Sequence, residues 1–157
     1  MHFVLDQNFP IQLTGLPWPP GLAVSALRDI DPDLTRNHDD WEIFRALHER
    51  GDVDGLITND AAILHLSREM VMLSQTRLTL VVTEGVGGDA LGATGLIMLH
   101  LTEIAKQNHP TPRIYQLRRP QLRLTRVRPI IDSLAARQGI PAAALMRREL
   151  AAINRGQ

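Results

Sequence analysis

The chain has 157 residues, of which 44% are hydrophobic and 22% charged, so it suits one ordinary globular domain with a substantial core. It contains no cysteine, which excludes disulfides and thiolate zinc sites and fits a reducing cytoplasm. The net charge of zero conceals a division: residues 1–102 carry six Lys/Arg and 14 Asp/Glu, giving −8, and residues 103–157 carry 11 and three, giving +8. Such asymmetry suits a nucleic-acid partner, or equally two halves that pair with each other.

His2 to Leu5 is a short β-rich run ending at Asp6. Asn8 to Leu16 reads as a short helix, and Pro17, Pro19, Pro20 and Gly21 then impose a loop. Leu22 to Leu27 suits either a strand or a helical turn, and the polar stretch Asp29 to Asn37 reads as a loop. Asp39 or Asp40 can cap a helix carrying Glu42 in its first turn and Ile43, Phe44 and Leu47 as an apolar stripe, with Gly51 ending it. Gly55 to Thr58 is the next strand and is followed by Asn59 and Asp60.

A helix over Ala61 to Ser74 and a strand over Leu78 to Thr83 come next. The Gly-rich stretch Glu84 to Gly95 leads into an apolar helix over Ala93 to Gln107, which Asn108-His109-Pro110 stops. Ile114 to Leu117 is a further strand. Leu122 to Val127 alternates with a period of two, and residues 129–138 and 141–153 read as two helices. Strands alternating with helices imply a mostly parallel sheet covered on both faces, a three-layer α-β-α architecture. No segment has the length and apolarity of a membrane span or the pattern of a secretory leader, so a cytoplasmic protein without membrane contact is expected.

Function is most legible in the acids. Asp6 and Asp60 each end a strand, and the Asp39-Asp40-Trp41-Glu42 cluster opens a helix. In an open α/β sheet these positions share one edge, where ligands bind. Each carboxylate alone also suits a helix cap. Together they would repel unless a hard divalent cation held them.

The opening Val4-Leu5-Asp6-Gln7-Asn8, the helix start Asp40-Trp41-Glu42-Ile43 with Ala46, and Gly55-Leu56-Ile57-Thr58-Asn59-Asp60 occur in an order and spacing that resembles the PIN-domain nucleases. Within them, the chain is similar to the compact PIN-like proteins related to VapC-type toxins. The resemblance covers about residues 1–64, while residues 78–117 agree only in their βαβ pattern. It implies a PIN-like domain over residues 1–119 with a basic C-terminal strand and helix extension over 120–157.

It also implies metal-dependent hydrolysis of RNA by Asp6, Asp40, Glu42 and Asp60. Asp6, Asp40 and Asp60 would hold Mg²⁺ or Mn²⁺, and Asn8 would help position Asp6 or a phosphate. A homodimer is implied as well, as is a role as the toxin of a toxin–antitoxin pair with an antitoxin as protein partner. The pattern departs from the family at Ala62, where a further Asp is common, so a module that binds RNA or protein without cutting is the rival reading.

Two further features bear on a site. The run Gly85-Val86-Gly87-Gly88-Asp89 lacks the Lys and Ser/Thr of a phosphate-binding loop and reads as a flexible edge, with Asp89 suited to cap a helix. Arg113, Arg118, Arg119, Arg123, Arg126 and Arg128 form a basic segment. Arg118 and Arg119 are the expected phosphate contacts, since guanidinium groups suit bidentate phosphate binding. His38 stands beside the acidic cluster as a surface-loop residue.

Overall fold

The computed structural model describes residues 1–35, 39–86, 89–107, 110–118 and 122–155, with residues 122–124 given by their backbone. Arg119, His38, Gly87, Gly88, Asn108 and His109, and the side chain of Arg123, therefore lie outside the described residues. Six strands form one sheet: β1 (His2–Leu5), β2 (Ala23–Ala26), β3 (Gly55–Thr58), β4 (Thr79–Thr83), β5 (Arg113–Leu117) and β6 (Leu122–Arg126). Their order is β2-β1-β3-β4-β5-β6; the first five run parallel, and β6 pairs antiparallel with β5. The helices are α1 (Leu27–Ile30), α2 (Asp40–Arg50), α3 (Ser67–Leu73), α4 (Ala90–Lys106), α5 (Val127–Arg137) and α6 (Ala142–Asn154).

The alternation of side chains along the strands builds two cores. Val4, Leu56, Leu80, Val82 and Ile114 face α2, α3, α5 and α6, whose Phe44, Leu47, Met70, Ile131 and Leu145 complete the first core. Phe3, Leu5, Ile57, Val81, Tyr115 and Leu117 point the other way, against Ala93, Leu96, Ile97 and Leu101 of α4 and Leu13 of a 3-10 turn over Ile11–Gly15. Helices thus cover both faces of a mostly parallel sheet, the α/β three-layer arrangement expected from the alternation of elements. No helix among the described residues is long and apolar enough to cross a membrane. Segments 122–126, 127–137 and 142–154 belong to this same body: β6 extends the sheet, and Ile131, Leu134, Leu145 and Ile153 are buried in the first core.

Local details depart from the sequence pattern. The stretch over Ala61 to Ser74 is two pieces, a 3-10 turn over Ala61–His65 and α3, separated by Leu66 in an extended conformation. The polar stretch after β2 holds α1 and a 3-10 turn over Pro32–Thr35, because Leu27 and Leu34 are drawn into the core. The Gly-rich stretch is shorter than its composition suggests. Asp89 Oδ1 accepts a hydrogen bond from Gly92 N at 2.8 Å, so α4 starts at Ala90 and carries Gly92 and Gly95 inside it. Gly51 ends α2 with φ of 76°, a left-handed conformation that glycine adopts without strain.

Gly55, at the start of β3, has a different reason to be glycine. A Cβ there would meet the Thr79 carbonyl oxygen of β4 and lie 2.7 Å from the Phe3 ring. Backbone on one side and a fully buried ring on the other leave no route for relief. Gly55→Ala is expected to destabilise the fold by about 2–3 kcal/mol, measured as a lowered urea midpoint with an unchanged slope.

Candidate functional site: an acidic cleft at the ends of β1 and β3

Chain connections leave β1 toward β2 on one side, while β3 lies on the other. The gap between β1 and β3 is therefore the switch point where open α/β sheets bind ligands. Leu5 pairs with Ile57, and Asp6 N donates to Ile57 O at 2.9 Å, which sets Asp6 beside Thr58. The Thr58 hydroxyl donates to Asp6 Oδ2 at 2.9 Å and accepts from Asp60 N at 3.0 Å. Gln7 N donates to Asp6 Oδ1 at 2.6 Å, and Asn59 Nδ2 donates to Asn8 O at 3.2 Å. Two strand ends are thus laced together through one hydroxyl and one amide.

Asp6 is buried, and burial raises its pKa. The hydrogen bonds from Thr58 and Gln7 lower it in part, the charge of Asp60 raises it, and the Asn8 side chain favours the ionised form. Asp60 is exposed, and its Oδ1 accepts from Ala62 N at 2.8 Å. Asp60 therefore caps the turn that follows it. One carboxylate oxygen serves the fold, and the residue still sets its charge toward Asp6.

The ambiguity at the start of α2 is resolved by the capping. Asp39 is the N-cap and Glu42 the reciprocal partner, its Oε2 accepting from Asp39 N at 3.1 Å. Trp41 Nε1 also donates to Asp39 Oδ2, at 3.2 Å. With Asp39 and Glu42 occupied in the box, Asp40 at the first helical position is the acid whose charge couples to those at the strand ends. Burial, then the charges of Asp6, Asp60 and Asp39, push its carboxyl from 3.8 up to about 6.

A fourth acid stands nearby that the sequence pattern did not single out. Glu69 on α3 is buried, and its pKa is raised, first by burial and further by Asp40 and Asp39, against lowering by its own backbone amide and by Arg68. The available signal was a carboxylate at the head of the run Met70 to Leu73, in a helix whose side chains are otherwise mostly buried. Arg68 lies 3.9 Å from both Asp39 and Glu149 and 6.0 Å from the Trp41 ring, so a single cation braces the helix side of the cleft. Arg28 is a second residue the pattern passed over. It lines a recess of about 140 Å³ that opens beside Asp6.

The donor chemistry, three carboxylates with hard oxygen atoms, fits Mg²⁺ or Mn²⁺. The spacing is looser than a ligand shell. Among the described residues, no group of three or more His, Asp or Glu side chains stands ready to hold a metal ion. The geometry is one of mutual repulsion at a distance, which a cation drawing Asp6, Asp40 and Asp60 inward would relieve.

Arg118 is placed differently from a free phosphate contact. Its guanidinium pairs with Glu84 at the end of β4, and Gln116 Nε2 donates to the same carboxylate at 2.6 Å. Glu84 is 9% exposed, whereas the Arg118 side chain is 56% exposed. The two deletions should therefore differ. Arg118→Gln strands a buried charge and is expected to cost about 2–3 kcal/mol, while Glu84→Gln releases Arg118 to water and costs about 1 kcal/mol. Thermal or urea unfolding of the two variants checks the order. Arg113, Arg126 and Arg128 lie at the opposite edge of the sheet, where β5 begins and β6 ends, away from the acids.

Compared with known proteins, the chain matches no family model, no curated protein and no solved structure.

Proposed function

We propose that the protein is a metal-dependent ribonuclease of PIN-like character, hydrolysing RNA phosphodiester bonds at the β1–β3 edge. The observation that carries this reading is the electrostatic coupling of Asp40 to Asp6 and Asp60 at the switch point, with the Asp40 carboxyl pushed up to about 6 by burial and by its acidic neighbours. Perturbed carboxylates gathered in a cleft from separate elements mark functional sites more often than surface acids do. Asp6, Asp40 and Asp60 would hold Mg²⁺ or Mn²⁺. The bound ion would supply an activated water and charge neutralisation at the scissile phosphate. Thr58 and Asn8 keep Asp6 oriented, Arg68 limits repulsion on the helix side, and Arg28 is available to a phosphate beside Asp6.

A toxin role with an antitoxin partner, and a homodimer, go with this reading. The exposed Leu91, Met98 and Leu99 of α4 offer a second copy an apolar face. The rival reading is a PIN-like module that binds RNA or protein without cutting. It is favoured by Ala62 and by the absence, among the described residues, of a ready ligand set.

Incubation of single-stranded RNA with the protein in Mg²⁺ or Mn²⁺ separates the two. Cleavage that a chelator stops supports the nuclease. Salt-dependent RNA binding with no cleavage in either metal supports the module.

A further inference from the structure

A second cavity lies beside the acids. Ala61, directly after Asp60, is one wall of a cavity of about 370 Å³ that runs along the C-terminal ends of β3, β4 and β5 beneath α5. Its size lies within the range of pockets that take small organic groups. Side-chain parity puts it on the same face as the acids: Glu84 continues the line of Leu80 and Val82, and Gln116 that of Ile114.

The cavity has two unlike sides. Buried Glu84 and Gln116 form a polar floor, with Thr125 Oγ1 donating to Gln116 Oε1 at 3.3 Å. Leu64, Pro129 and Ile130 supply an apolar wall. At the rim, Arg137 Nη2 lies 3.4 Å from His65 Nδ1 and has no carboxylate partner among the described residues. A flat group with apolar faces, a hydrogen-bonding edge and an anion attached is what these surfaces complement. An ion pair such as Glu84–Arg118, with its carboxylate buried and its guanidinium half exposed, adds little net stability, so the fold alone gives slight reason for it to floor a cavity.

We infer that this cavity is a nucleobase subsite, holding the base of a nucleotide next to the scissile phosphate, with Arg137 at that nucleotide's own phosphate. Its role in cleavage rests on the nuclease reading above; the binding does not. From the β1–β3 gap to the β4–β5 gap is two strand spacings, about 10 Å, which a single strand crosses within a nucleotide or two. Glu84 Oε2 takes both Arg118 N–H groups, whereas Glu84 Oε1 and Gln116 Oε1 accept one donor each and so keep one lone pair apiece on the cavity floor. The base whose edge sets two N–H donors side by side is guanine, so guanine is the preferred occupant.

The test is titration of the whole protein with guanosine 5′-monophosphate and uridine 5′-monophosphate in a chelator, followed by amide chemical shifts. Guanosine monophosphate should shift Ala61, Leu64, Gln116 and Ile130 together and bind about tenfold more tightly than uridine monophosphate. Ser133→Trp, at an exposed position of α5 on the cavity, should weaken that binding at least about tenfold by filling the space. Arg137→Gln should weaken the nucleotide but not guanosine. If guanosine monophosphate leaves those amides unmoved, or Ser133→Trp binds it as the wild type does, the subsite is refuted whatever the acids do. Equal affinity for the two nucleotides refutes the guanine assignment. If Asp6→Asn and Asp60→Asn both cleave RNA at the wild-type rate while the nucleotide shifts persist, the nuclease assignment of the acids fails and the subsite stands.

Discussion

Asp6→Asn and Asp60→Asn are each expected to lower metal-dependent RNA cleavage by on the order of 10³-fold while leaving the protein folded. The amide keeps the shape of the carboxylate and removes the charge a cation requires. At Asp60, an Asn oxygen can still accept from Ala62 N, so the turn over Ala61–His65 keeps its cap. At Asp6, an Asn oxygen keeps one of the two accepted bonds and its amide can donate to the Thr58 hydroxyl, and burial already disfavours the ionised form, so the cost to the fold should stay at about 1 kcal/mol. Cleavage assays in Mg²⁺ and Mn²⁺ alongside thermal unfolding separate lost chemistry from lost structure. Cleavage at the wild-type rate by both variants would overturn the assignment. An Ala substitution is a poorer test at Asp6, because it also removes the acceptor of the Thr58 hydroxyl and of Gln7 N.

Asp40→Asn should show the opposite signature, a gain in stability at about pH 8 of about 1–2 kcal/mol. Burial, then Asp6, Asp60 and Asp39, raise this carboxyl from 3.8 to about 6, so the folded state holds the proton more tightly than the unfolded state. The resulting stability is fully present below pH 3.8 and is lost as pH rises through about 6. Wild type should therefore fall progressively below Asp40→Asn across that window, and the two should converge near its acid end. The magnitude follows from about 1.4 kcal/mol per pKa unit, reduced because water at the cleft mouth screens the charges.

Divalent cation should recover the loss. At a concentration a hundredfold above its dissociation constant, an ion bound only by the folded state adds about 2.7 kcal/mol. Wild type should gain that increment from Mg²⁺ or Mn²⁺, and Asp40→Asn should gain clearly less. Urea unfolding in chelator and in metal, at two pH values, measures both effects without any nuclease assay. Equal stabilisation of the two proteins would remove Asp40 from the metal site.

Much of the fold is written locally. Val4-Leu5-Asp6 and Leu56-Ile57-Thr58 are buried on both faces, as strands in the middle of a covered parallel sheet must be, and nearly continuous apolar character reveals them. Asp39 and Glu42, three residues apart ahead of an apolar stripe, announce the start of α2. Other features resist local reading. The stretch Ala61 to Ser74 carries enough apolar residues for one continuous helix, yet Asp60 caps a tight 3-10 turn and Leu66 turns extended before α3 begins. The Gly-rich composition around Gly92 and Gly95 argues against a helix, and burial of α4 against the sheet overrides it.

The sequence by itself determined the α/β class, the strand ends that carry Asp6 and Asp60, and the presence of acids at the head of α2. Each follows from spacing within a few residues, where backbone geometry and side-chain period act directly. Only the tertiary structure decided which of Asp39, Asp40 and Glu42 couples to the acids at the strand ends, that Glu69 joins them from α3, and that Arg118 is bound to Glu84. These depend on chain segments brought together by core packing. A carboxylate's charge state and partner are set by burial and by neighbours distant in sequence, and no local pattern encodes them.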